Sequence, residues 1–115
     1  LPRSLRCHGA AAIAAIALVA MTGCSGPPGG AAQLAKERGC MRCHDAAAKV
    51  VGPSFARIAD RYRSDPSARD HLAAKVRQGS VGAWGRVLMP RQPEVTADEA
   101  RVLAEWVLST PSPGD

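Results

Sequence analysis

Cys40-Met41-Arg42-Cys43-His44 is the stretch that leaves this chain the fewest choices. Two cysteines three apart on a helical turn lie on one face, and a histidine follows the second at once. Three familiar roles for such a pair fit poorly. Zinc would take Cys40 and Cys43 but needs further ligands, and beyond residue 24 the only other histidine besides His44 is His71. A thioredoxin-like redox pair belongs with a βαβ pattern, and no stretch shows sustained strand alternation. A disulfide across two residues would be strained and would stabilise little. The remaining role is covalent attachment of a c-type haem, for which C-x-x-C-H is the signature. Both thiols then reach the vinyl groups along one porphyrin edge, and the adjacent imidazole turns toward the iron. The spacing predicts one haem c, with Cys40 and Cys43 as thioether anchors and His44 as an axial ligand.

The other two cysteines, Cys7 and Cys24, fall in a different setting. From Gly9 to Met21 the chain reads GAAAIAAIALVAM without a charge, behind Arg3 and Arg6. That is short of the ~20 residues a permanent span needs, and it has the form of a secretory signal. Met21-Thr22-Gly23-Cys24 resembles a bacterial lipobox, where cleavage before the cysteine precedes its lipidation. An ordinary signal peptide with an incidental cysteine is the alternative. Residues 1–23 are therefore expected to be a lipoprotein-type signal peptide, with Cys24 lipidated and the protein held to a membrane on the periplasmic side. Residues 24–30, rich in Gly and Pro, read as a flexible tether. Losing Arg3 and Arg6 lowers the formal charge from +5 to +3. Nucleic-acid binding would want a basic stripe with interleaved aromatics, and none is present.

Residues 31–110 read as one all-α domain, followed by a disordered tail at 111–115. Residues 31–38 are strong helix formers ending at Gly39. Phe55, Ile58, Ala59 and Tyr62 form a helical stripe, so 54–62 reads as an amphipathic helix behind Pro53. A third helix over 68–77 brings Leu72, Lys75 and Val76 together and stops before Gly79. Thr96 and Glu99 form a capping box for a last helix that carries Val102, Leu103, Trp106 and Val107 on one face and ends near Ser109. Between them, 80–95 shows no helical period and reads as a long loop. Loops of that length in a small domain are usually functional or disordered. Four short helices with only Phe55, Tyr62, Trp84 and Trp106 as aromatic filling make a thin core. A cofactor at the centre would complete it.

The long loop also carries the candidate second axial ligand. Met41 lies inside the cysteine turn and cannot reach the far face of the same haem. Met89, in Val87-Leu88-Met89-Pro90, can; His/Met ligation is the pairing used for electron transfer. His71 could in principle give a bis-His site, but its charged helical neighbours make it a surface residue.

Gly39-Cys40-x-x-Cys43-His44, Val51-Gly52-Pro53, Arg77-Gln78-Gly79-Ser80-Val81-Gly82-Ala83-Trp84-Gly85, Met89-Pro90, and Asp98-Glu99-Ala100 through Glu105-Trp106-Val107-Leu108 stand in this order. From Leu34 to Leu108 the chain thereby resembles a small bacterial class I cytochrome c of the cytochrome c551 (c8) type. The resemblance implies the class I fold, about four short helices around one covalent haem. It implies that the Pro53 carbonyl accepts the axial histidine's Nδ1–H, which fixes the tautomer. Trp84 matches a tryptophan bonded to a haem propionate. Lys75 stands where relatives often have an arginine near the propionates, and it keeps the charge without the fork. Gln92 stands where some relatives use Asn to bond the methionine sulfur. Gly39 and Trp106 match a crossing of the first and last helices.

The expected function is one-electron transfer between membrane or periplasmic redox proteins, with transient partners, no small-molecule substrate and no catalytic residues. The alternatives are a haem enzyme or gas sensor with an open or labile sixth position, and a structural zinc module.

Overall fold

A computed structural model describes residues 30–113. Expectations for the signal peptide, Cys7, Cys24, the tether before residue 30 and the last two tail residues lie outside them. Four α-helices follow in order: α1 Gly30–Glu37, α2 Phe55–Tyr62, α3 Ala68–Gln78 and α4 Ala97–Leu108. A 3-10 turn over Cys40–Arg42 follows α1. Helix α4 is the axis of the domain, because α1, α2 and α3 all pack on it.

Helices α2, α3 and α4 each carry a sequence-encoded cap at one end. Ser54 is the N-cap of α2, its hydroxyl accepting the Arg57 N–H at 3.2 Å, so that helix starts with the apolar stripe at Phe55, one residue later than the expected range of 54–62. Thr96 and Glu99 close both halves of the predicted capping box, at 3.2 and 3.0 Å. Glu99 also takes Arg38 at 2.7 Å, which ties the end of α1 to the start of α4. Helix α3 ends at Gly79, whose φ of 82° is left-handed. A Cβ there would stand 2.9 Å from the Met89 carbonyl, so glycine serves both the turn and the close passage of Met89.

The core is built from small side chains. Leu34, Ala35, Ala73, Val95, Ala100, Leu103 and Ala104 form its main cluster. Phe55, Ala56 and Ala59 bury the inner face of α2. Among the described residues, the largest side chains closed off completely are Val95 and Ser54. The alanines let α1, α3 and α4 approach closely, but they leave the middle of the domain unfilled.

The predicted structureless loop at 80–95 is corrected by the structure. Ser80–Gly82 (β1) and Gly85–Met89 (β2) form an antiparallel hairpin, with Val81 opposite Leu88 and Gly82 opposite Gly85. Strands of three and five residues are too short to display a period of two. The connecting Ala83-Trp84 lacks the Asn-Gly or Asp-Gly signal of a tight hairpin. Left-handed φ is supplied instead by Gly82 and Gly85 on either side, at 82° and 87°. The fold remains mostly helical.

Thr96→Ala should lower the stability of the haem-loaded protein by about 1 kcal/mol, the usual cost of an N-cap, read from the urea midpoint. The Arg38 guanidinium, then the Thr96 backbone N–H, hold the Glu99 carboxyl below its ordinary range. Its contribution is present above the unfolded-state pKa and is lost as pH falls through the folded-state value. The fall in urea midpoint from neutral to acid pH should therefore be smaller in Glu99→Gln than in the wild type.

Candidate haem site

The cysteine turn is set by backbone geometry at its entrance. Gly39 has φ 78°, and the nearest atoms to a Cβ there would belong to the Arg42 side chain, at 3.5 Å. The glycine is needed for its left-handed turn, which aims the chain from α1 into Cys40. The Cys40 carbonyl then accepts the N–H groups of both Cys43 (3.2 Å) and His44 (3.1 Å), so the three residues move as one unit. Burial pushes the Cys40 thiol above its ordinary pKa, against a smaller opposing backbone hydrogen bond. A thiol held in its neutral form is unlike the low-pKa thiolates of redox-exchange pairs.

Beyond His44, the chain is tied back to the turn. Gly52 N–H donates to the Cys43 carbonyl at 2.8 Å, and Phe55 N–H donates to the Asp45 carbonyl at 2.9 Å. The Asp45 carboxylate accepts from the backbone of Ala47 and Ala48, each at 2.9 Å. His44 itself is held on three sides. Its Nδ1 lies 2.6 Å from the Pro53 carbonyl, and the Phe55 ring lies 5.3 Å away with planes 21° apart. On the third side, a Cβ on Gly52 would stand 2.8 Å from His44 Cε1. Gly52 has no left-handed φ, so the need there is purely for room. Sequence reading took Gly52 only as part of a motif; its contact with the imidazole is visible in the fold alone.

One of these contacts fixes chemistry. A carbonyl oxygen can only accept, so Nδ1 carries a proton, and in the neutral ring Nε2 keeps its lone pair for a metal.

Cys40, Cys43, His44, Lys75, Trp84 and Met89 all line one cavity between α2, α3, α4, the cysteine turn and the hairpin. It encloses about 1040 Å³ of space, its open mouth included. Most of the remaining wall is apolar, from Ile58, Leu72, Val76, Leu103 and Trp106 among others. Pro53 also lines it. Two thiols on one turn, an oriented imidazole and a thioether, set in an apolar wall, are the donors that a covalently held metalloporphyrin requires. Among the described residues, no three His, Cys, Asp or Glu side chains converge as a structural zinc site would need.

The polar residues at the rim have specific partners. Trp84 lies on the cavity wall with the Arg61 guanidinium over its ring, 4.6 Å from the centroid. Lys75 Nζ reaches Ser80 Oγ at 3.4 Å. The Gln92 amide donates to the Pro90 carbonyl at 3.3 Å, just past Met89. His71 is exposed and tilts against Tyr62 with centroids 5.7 Å apart. Trp106 meets Phe55 edge-on at 5.0 Å, so it backs the ring that backs His44.

Known proteins match this chain across the same region. The family model for cytochrome c matches residues 30–111. Cytochrome c-552 of Hydrogenobacter thermophilus is 49% identical over 92 residues, covering 80% of this chain and 93% of that protein. Cytochrome c-551 of Allochromatium vinosum is 44% identical, over 65% of this chain and 80% of its own. The crystal structure of cytochrome c552 from Nitrosomonas europaea superposes with a TM-score of 0.67 at 40% identity, covering 69% of this chain and 98% of that one. In that family the haem c is covalent and carries iron. With a cysteine turn, an oriented imidazole and an apolar cavity of the kind this cofactor needs, the chain belongs to the cytochrome c family: it is a class I, monohaem electron carrier close to the c-551 and c-552 cytochromes.

Proposed function

We propose that Cys40 and Cys43 hold the haem through thioethers and that His44 and Met89 take its two axial positions. The observation that carries this reading is the convergence of all four side chains on one apolar cavity, with His44 Nδ1 committed to Pro53. When bound, the haem iron supplies the one-electron couple. The protein contributes rigidity: the Cys40 carbonyl, Pro53, Phe55 and Gly52 give the imidazole one orientation. The Pro53 bond also raises the basicity of that ligand. Gly79 lets the Met89 backbone pass directly beside the end of α3, which limits where the thioether can go. With both axial positions filled, the protein exchanges electrons with partner proteins and leaves no site for a small ligand.

Trp84 and Lys75 are assigned to the propionate side of the haem. The indole N–H is a donor with an apolar body, suited to a cavity rim. Lys75 adds a charge there while also contacting Ser80.

Residues 31–110 form the haem-binding domain, behind a signal peptide at 1–23 and a tether at 24–30, with 111–115 as the tail. Redox proteins are its partners, met on the periplasmic side of the membrane. A lipid on Cys24 would keep the domain near membrane-bound partners and raise its effective concentration there. The uncharged run behind Arg3 and Arg6, ending in Met21-Thr22-Gly23-Cys24, supports that anchor.

Carbon monoxide tests the axial assignment. The reduced wild-type protein should refuse it and Met89→Ala should bind it; equal binding by both would assign the sixth position to something other than Met89. Mass spectrometry of protein taken from its native membrane tests the anchor. The expected mass is residues 24–115 plus one haem and a lipidated Cys24, and an unmodified Cys24 or a cut elsewhere would remove the anchor.

A further inference from the structure

The β1–β2 hairpin has little packing on the helices. Val81 is 71% exposed, and Leu88, paired with it across the strands, lines the haem cavity. The strands contact each other far more than any helix. A Cβ built on Gly82 or Gly85 would touch nothing within 4 Å, so neither glycine wedges the turn against the body. At the other end the hairpin is fixed, where Gly79 admits the Met89 carbonyl. Trp84 lies at the free end, yet it forms part of the cavity wall.

One side chain bridges this gap. Arg61, in the last turn of α2, donates from Nη1 to the Ala83 carbonyl at 2.6 Å. The same guanidinium lies over the Trp84 ring at 4.6 Å and 5.4 Å from that of Tyr62. A planar cation can stack on an aromatic face and donate in its own plane at once, which an ammonium cannot. The base of the hairpin has only the longer Lys75–Ser80 contact, 3.4 Å, as a side-chain tie from α3.

We propose that Arg61 is a positioning residue for electron transfer: by clamping Ala83 and Trp84 to α2 it holds the indole on the cavity wall. It also puts a fixed positive charge beside that wall. The clamp deepens the reading that Trp84 faces the haem propionates and rests on it for its effect on the haem. Its mechanical part does not depend on which residues ligate the iron. A cation near the cavity favours the reduced, more negative form of the cofactor, so the same residue also raises the reduction potential.

The test uses the haem-loaded protein and three variants. In Arg61→Gln, the Trp84 indole N–H should exchange with solvent at least about tenfold faster, as expected for a local opening, while amides of α1 and α4 keep their wild-type rates. Its reduction potential should fall. Arg61→Lys keeps the charge but loses the planar clamp, so exchange should rise and the potential should stay near wild type. Arg63→Gln removes an equal charge whose own tie runs to the Thr110 carbonyl at 3.0 Å, and it should change neither quantity. Indole exchange in Arg61→Gln within about twofold of wild type would overturn the clamp, as would acceleration shared equally by α1 and α4. Equal potentials in Arg61→Gln and Arg63→Gln would overturn the electrostatic role. Failure of the Trp84–propionate reading would show as an unprotected indole N–H in the wild type itself, whereas failure of the clamp would show as a protected indole whose exchange Arg61→Gln leaves unchanged, so the two readings fail separately.

Discussion

Everything in this fold depends on a centre that its own side chains do not fill. Leu34, Ala35, Ala100, Leu103 and Ala104 bring α1 and α4 into contact, and Ala73 does the same for α3. Among the described residues, Val95 is the largest side chain that is completely enclosed, although Leu34, Phe55 and Leu103 are nearly so. Native interiors are close-packed, and an apolar void forfeits contacts along its whole lining. The wall formed by Ile58, Leu72, Val76, Leu103 and Trp106 therefore gains contacts from an apolar group placed against it. The haem of this family is that group, so the cofactor is a structural component as well as the redox centre.

Once the ring is a core element, its attachment has to be rigid. The N–H groups of Cys43 and His44 both donate to one backbone acceptor, the Cys40 carbonyl. The imidazole is then locked by the Pro53 carbonyl, the Phe55 ring and the absence of a Cβ at Gly52. Trp106 stands behind Phe55, which carries the constraint from α4 through α2 to His44. Preorganised groups need little rearrangement when charge changes, and an electron carrier gains speed from that stiffness. Packing and function here make the same demand.

The helices and the chemistry were legible in the sequence because both rest on local spacing. The stripe of Phe55, Ile58, Ala59 and Tyr62, the Thr96–Glu99 box and the glycine after α3 all mark elements within one or two residues of their observed ends. Cys40-x-x-Cys43-His44 announces itself by spacing alone. The hairpin was not legible, since its strands are short and its turn residues are ordinary. Gly39 was legible as the end of α1, but sequence shows only that a glycine is present, and its φ of 78° shows that it serves a left-handed turn. The Arg61 contacts span 22 positions to Ala83, beyond the reach of any local pattern.

Comparing the domain with and without covalent haem tests this account most directly. The chain would be produced with and without a cytochrome c maturation system, kept reduced, and followed by thermal melting and amide hydrogen exchange. The account predicts a cooperative melt and strongly protected α4 amides in the haem-loaded protein, with both lost in the haem-free chain. A haem-free chain that melts cooperatively at the same temperature with the same α4 protection would contradict it, because the small-residue core would then be sufficient alone.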